Sequence, residues 1–273
     1  MSGDIRSAFI TLALSLPAIV LCLSIHETAH GGAAYLLGDR TARDSGRVTL
    51  SPMAHIDPIG FLCLLLFGFG WTLLFEWSNP ATLGAFDTPH KLLAAAFESV
   101  TLRTAGFNTI DLGALTGPSQ AVSCLLMFIG GSPGSTAGGI KTVTAAVLVL
   151  TAISAFCGRT TVSAFGRTIA PRSIMNAVTL LMAGGVLCLV GACAIAGIED
   201  APFHQCLFEA VSAFGTVGVS MGLTPTLAAA SRVILIVMMY MGRVGVLTLG
   251  VAVFMRRREP PRLKYPDADV FIG

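Results

Sequence analysis

The stretch FESVTLRTAGFNTIDLGALTGPSQAVSCLLMFIGGSPGSTAGGIKT, residues 97–142, limits the architectures open to this chain more than any other. It holds a short amphipathic segment, a turn at Thr104-Ala105-Gly106, an apolar run, and a glycine-rich break from Gly130 to Gly139 that ends at Lys141. Glycine and proline do not sustain a regular helix, so the backbone must open here and leave polar groups to be satisfied elsewhere. A surface loop between two spans would do this. At membrane depth such a break is tolerated only where protein buries it or where it lines a water-filled path. With a second copy of the unit downstream, the break is expected to line an ion path.

Composition fixes the setting. Of 273 residues, 54% are hydrophobic and only 12% charged, as in polytopic membrane proteins. A span needs about 20 mostly apolar residues. Candidates are 8–25, 58–77, 118–129 continued by 140–157, 173–197 and 226–255. The first has little positive charge before it, only Arg6, and runs straight on to His26, so it is not expected to be a cleavable signal peptide. Residues 89–102 are too short to cross and are expected to form a re-entrant pore helix.

Net charge is only +2, but its distribution is informative. Arg40, Arg43 and Arg47 precede the second span, Arg159, Arg167 and Arg172 the fourth, and Arg256, Arg257, Arg258, Arg262 and Lys264 follow the last. The other side carries Glu76, Asp87, Asp111, Glu199 and Asp200. The positive-inside rule therefore predicts a cytoplasmic C-terminus and a multi-pass protein of the plasma or inner membrane, embedded in lipid with no role for nucleic acid. The seven cysteines lie in or beside apolar stretches without metal spacing, and are expected to act as small buried hydrophobes.

Near the N-terminus stands HETAH. His26 and His30 share a helical face with Glu27 beside them, the arrangement in which two histidines hold zinc and a glutamate serves as general base. Together with GDRTARDSGRVTLSPMAHIDPIG it resembles the site-2 protease family of intramembrane metalloproteases over about residues 18–71. That resemblance implies Glu27 as the catalytic residue and His26 and His30 as zinc ligands. No LDG-type third ligand follows, and Ser51 stands where that family favours Asn. Zinc is therefore a secondary cofactor candidate, since catalytic zinc normally takes three protein ligands.

The text changes from Thr72 onward. FEAVSAFGTVGVS (208–220) echoes FESVTLRTAGFNT (97–109) with one residue of slippage before the central glycine. Gly106 and Gly218 lie 112 positions apart, as do MFIG (127–130) and MYMG (239–242). A shared offset at two separate places argues for a duplicated span–pore helix–span unit, an organisation common in transport proteins. In each unit a Thr-x-Gly turn follows a short helix. Glycine there lets carbonyl oxygens face an axis and replace an ion's hydration shell. Thr104, Ala105 and Gly106 with Thr216, Val217 and Gly218 are thus candidate filter residues.

Residues 72–273 are similar to the second half of a Trk/Ktr/HKT-superfamily potassium transporter membrane subunit, most like the Ktr type. SVTLRTAGFNTIDLGAL, FIGGSPGSTAGGIKT, FEAVSAFGTVGVS, MGRVGVLTLG and KYPDADVFIG carry the resemblance. It implies an all-α polytopic membrane protein. Two membrane–pore helix–membrane repeats, 72–172 and 173–273, would follow one or two transmembrane helices in a protease-like segment, 1–71. It implies potassium as the transported ion and Gly106 and Gly218 as the third and fourth of four filter glycines. It also implies a gate below the filter made of Gly130, Gly131, Ser132, Gly134, Gly138 and Gly139 with Lys141 and Arg243. An intramembrane arginine is costly and points to function on physical grounds as well. A cytosolic nucleotide-binding regulatory subunit is the partner this resemblance implies. Two filter strands per chain would expose carbonyls to lipid, so either a homodimer completes the pore or the chain is a non-functional fusion.

Overall fold

The computed structural model describes residues 58–131, 137–164 and 166–245, with isolated positions between 25 and 51. His26, Glu27, His30, Ser132 and Gly134, and the candidate span 8–25 up to residue 24, lie outside the described residues. From residue 58 the described chain is mostly helical. Helix α1 is Pro58–Glu76, α2 Thr88–Thr101, α3 Gly117–Phe128, α4 Thr142–Phe156, α5 Pro171–Glu199, α6 Phe203–Gly215 and α7 Ala229–Val244. Two 3-10 turns, Leu112–Ala114 and Thr224–Thr226, precede α3 and α7, and a hairpin pairing Ser163 with Thr168 joins α4 to α5.

Local chemistry sets the boundaries. Pro89, Pro118 and Pro171 sit in the first turns of α2, α3 and α5, where no helical N–H partner is lost. Helix α5 ends at Asp200 in the left-handed region (φ 50°), and α6 ends the same way at Thr216. The apolar run 118–129/140–157 is two helices, because the glycine-rich segment interrupts it at Ile129.

Helix α5, 29 residues with a mean hydropathy of 2.4 in its most apolar window, is the one described helix long and apolar enough by itself to cross a membrane. Its outward residues Met175, Met182, Val186, Leu189 and Val190 are exposed and apolar, which suits lipid rather than water. Helices α2 and α6 are short, with 14 and 13 residues. At about 1.5 Å per residue neither reaches across the roughly 30 Å hydrocarbon core.

Helix α1 packs on α2 and α3, while α5, α6 and α7 pack on one another and α3 joins the two groups through α6. The core runs through Leu126, Met127, Ile195, Phe208, Phe214 and Met238. Close approach is bought by glycine at two crossings: a Cβ on Gly68 would lie 2.5 Å from Ser99 Oγ, and one on Gly242 would lie 1.9 Å from the Phe214 carbonyl oxygen. The cysteines depart partly from the sequence expectation. Cys188 and Cys206 are buried and Cys124 half-buried, but Cys157 and Cys193 are exposed. Cys193 lies on α5, whereas Cys157 is the C-cap of α4, followed by Gly158 and Arg159. Among the described residues all cysteines are unpaired.

Candidate functional site: two filter turns and a glycine loop

Each short helix ends in a turn of the same construction. Among the described residues only Thr104 (φ 75°), Asp200 and Thr216 (φ 53°) are non-glycine residues with positive φ. Gly106 (φ 76°) and Gly218 (φ 92°) follow two residues after those threonines, with Ala105 and Val217 between them outside that region. Left-handed backbone at threonine costs about 1–3 kcal/mol and is kept only where its surroundings enforce it. Positive φ at the first and third of three residues turns the peptide groups out of the alternating pattern of an extended strand. Both turns also sit at helix C-termini, the negative ends of their dipoles, which favour a cation.

The two turns are held alike. In the first, the Thr101 carbonyl accepts the Ala105 N–H (3.2 Å), and the Thr101 hydroxyl donates to the Phe107 carbonyl while accepting the Phe107 N–H (3.1 Å). In the second, the Ser212 carbonyl accepts the Val217 N–H (2.9 Å) and its hydroxyl donates to the Val219 carbonyl (2.6 Å). Thr101 matches Ser212, and Ala105 matches Val217. The residue of slippage is therefore an added helical residue between Ser212 and Thr216. The turns touch: a Cβ on Gly106 would lie 2.9 Å from the Val217 carbonyl oxygen, and one on Gly218 would lie 3.5 Å from Gly106 Cα.

The glycine segment folds back under these turns. Ile129 and Ile140 form a parallel bridge, with the Gly130 N–H donating to Ile140 O (2.8 Å) and the Ile140 N–H to Phe128 O (3.0 Å). The far limb is bonded to the second turn. Gly138 N–H donates to Thr216 Oγ1 (2.9 Å), and Gly139 N–H donates to Phe214 O (3.2 Å). A side chain is excluded at the crossing, where a Cβ on Gly130 would lie 1.9 Å from Gly138 O. Gly131 is half-buried, and its carbonyl accepts the Thr142 N–H (3.2 Å). Lys141 occupies the N-cap of α4, and its Nζ donates to Ala137 O (2.6 Å). Arg243 lies exposed on the last turn of α7, next to Gly242.

Several residues that pattern reading passes over are central. Phe214 accepts the Gly139 N–H, lies beneath Gly242, and stacks on Phe128 with ring centroids 5.5 Å apart. Arg103 donates through Nη1 to Leu126 O (3.3 Å) and Ile129 O (2.6 Å), filling the C-terminal carbonyls of α3. Glu76 is fully buried and accepts from Asn79 Nδ2, Thr82 Oγ1 and both the N–H and hydroxyl of Thr116. That network fastens the end of α1 to the start of α3. A buried acid with hydrogen-bonding residues at nearby positions was the available sequence signal, but partners 40 residues away in sequence are not legible in spacing. Among the described residues no group of three or more His, Cys, Asp or Glu could hold a metal ion.

Fold and site together define an α-helical membrane protein in which two short helices end in matched turns that pack on an interrupted glycine segment. Residues 58–259 match the family model TrkH, cation transport protein, and the chain belongs to that family. The Ktr system potassium uptake protein B of Bacillus subtilis is 40% identical over 200 residues, covering 73% of this chain and 44% of that protein. The potassium/sodium uptake protein NtpJ of Enterococcus hirae is 37% identical over 215 residues, covering 77% of this chain and 48% of the relative. The crystal structure of the potassium transporter TrkH from Vibrio parahaemolyticus shares the fold, with a TM-score of 0.59 at 21% identity, covering 86% of this chain and 51% of that one. The chain thus spans about half the length of these relatives. A separate 53-residue stretch is 46% identical to YwhC of Bacillus subtilis, a protein assigned by name to the zinc metalloproteases, and covers 19% of this chain and 24% of that protein.

Proposed function

We propose that this chain forms part of a potassium-conducting pore in the plasma membrane. The carbonyls of Thr104–Gly106 and Thr216–Gly218 select the ion. Gly130–Gly139, with Lys141 and Arg243, forms the gate beneath them. The observation that carries this reading is the pair of matched turns, each with a left-handed threonine and glycine at a helix C-terminus, in contact at Gly106 and Gly218. The names of the relatives, potassium and potassium/sodium uptake proteins, support the choice of monovalent cation.

The repeats 72–172 and 173–273 supply two strands of a four-strand filter, and a homodimer supplies the rest. The first turn has an open flank that suits such an arrangement: Ala105 is exposed and Phe107 is 72% exposed, whereas Val217 and Val219 are buried at 3% and 4%. The C-terminus lies in the cytoplasm, where a nucleotide-binding subunit regulates the pore.

The test is rubidium uptake into vesicles reconstituted with the wild-type chain and with Gly106→Ser. Uptake by the wild type that is lost in Gly106→Ser is expected, and wild-type vesicles without uptake would overturn the reading. The similarity to YwhC supports a second activity, zinc binding by His26 and His30 with Glu27 as the base. Zinc near one per chain in purified protein, abolished by His26→Ala, is its signature.

A further inference from the structure

The two pore helices carry a glutamate at matching positions, Glu98 and Glu209, and only one of them is used. Glu209 is 3% exposed and accepts three hydrogen bonds: Ser220 Oγ (2.5 Å) and Met221 N–H (3.1 Å) on Oε1, and Thr224 Oγ1 (2.6 Å) on Oε2. These donors lie just after Gly218, on the strand that leaves the second filter turn. Glu98 is 1% exposed, and neither of its oxygens has a hydrogen-bond partner.

The cause is legible in the residues. Leu112 stands at the position of Thr224, so the hydroxyl donor is gone. Asn108 stands at the position of Ser220 and spends its amide on the Ile110 carbonyl (3.2 Å). Packing does not replace the brace in the second half. A cavity of about 210 Å³ lies behind the turn, lined by Glu209, Ser212, Thr216, Gly218, Thr224 and Met239 among others. Val217, Val219 and Met221 anchor the strand in the core, and on the side that borders the cavity the bonds to Glu209 hold it, so their loss lets that side of the turn move.

We propose that Glu209 is a specificity-determining positioning residue: its carboxylate fixes the strand leaving Thr216–Gly218 and so sets the position of that turn's carbonyls, while Glu98 plays no such part. Charge-assisted bonds from a buried carboxylate are the strong class, so three of them at one residue hold the strand firmly. The proposal rests on the transport reading above. Carbonyl position decides which ion replaces its hydration shell at least cost, so the observable is selectivity rather than expression or total flux.

The experiment compares rubidium with sodium uptake in vesicles reconstituted with wild type, Glu209→Gln, Thr224→Val, Thr224→Ser and Glu98→Gln. Amide exchange at Met221 is followed in detergent on the same proteins. Glu209→Gln and Thr224→Val are expected each to lower the rubidium-to-sodium ratio about fivefold and to speed exchange at Met221. Thr224→Ser, which keeps the hydroxyl, and Glu98→Gln are expected to leave both unchanged. If Glu209→Gln does not fold, Thr224→Val removes one donor alone and decides the outcome.

An unchanged ratio in Thr224→Val, or a shift in Glu98→Gln as large as that in Glu209→Gln, would overturn the proposal. Unchanged exchange at Met221 would overturn the brace itself. Wild-type vesicles without uptake would instead overturn the transport reading and, with it, the selectivity claim. The exchange data then decide the brace independently.

Discussion

The halves 88–128 and 203–244 share a plan and differ in how firmly it is held. Each has a short helix, a left-handed threonine, a glycine of positive φ two residues on, a 3-10 turn and a following helix. The second half is buried around its turn, bonded to the glycine loop through Thr216 and Phe214, and braced by Glu209. In the first half the turn is open at Ala105 and Phe107, and Glu98 has no donors. The two halves therefore share the bonds that shape their turns, at Thr101 and Ser212, and differ in the supports around them. A half that is enclosed by its own chain can be stiff. A half whose flank is open depends on what covers it.

The largest effect expected from breaking this comparison is at the glycine crossings. Gly242→Ala would drive a methyl into the Phe214 carbonyl at 1.9 Å, and Gly130→Ala would do the same at Gly138. Backbone on both sides cannot yield, so each variant is expected to lose about 3 kcal/mol or more and its monodisperse peak in size exclusion. Gly185→Ala, with nothing within 4 Å, is the matched control and is expected to remain folded.

Next come the turn glycines, Gly106 and Gly218. Both have positive φ, so an added Cβ costs about 1–2 kcal/mol at either. Gly106→Ala adds a 2.9 Å contact with Val217 O, while Gly218→Ala meets only Gly106 Cα at 3.5 Å. Thermal melts are expected to rank Gly106→Ala below Gly218→Ala, and equal melting temperatures would contradict the asymmetry.

The threonines of the turns should split in sign. Thr104→Gly relieves left-handed strain and is expected to stabilise by about 1 kcal/mol. Thr216→Gly relieves the same strain but loses the bond from Gly138 N–H, so it is expected to be neutral or destabilising. A melting temperature that rises equally in both would show that the loop bond contributes nothing. The smallest effect is at Glu98. Glu98→Gln removes no hydrogen bond, and a change beyond about 0.5 kcal/mol in a thermal melt would reveal a partner for it.

How much of this was legible in the sequence follows from the range of each interaction. Apolar runs, proline starts and the glycine break are local, and they gave helices 58–76, 88–101 and 171–199 within a few residues of expectation. The constant offset of 112 pairs Thr104 with Thr216 and Gly106 with Gly218, and these four residues all have positive φ, because like local sequence favours like backbone. Family membership was legible too, in long strings such as SVTLRTAGFNTIDLGAL. Arg243 was expected to approach the glycine loop; it stands on the last turn of α7, and residues 132–136 of the loop lie outside the described residues.

What the sequence determined by itself is therefore the family, the helical class and the positions of the two matched turns, all of which rest on neighbours in the chain. What only the tertiary structure decided is which supports those turns receive. Nothing in FESV and FEAV distinguishes Glu98 from Glu209. The difference arises because the Thr224 hydroxyl reaches Glu209 after the chain has turned back, whereas no donor reaches Glu98, and hydrogen bonding depends on ångströms rather than spacing.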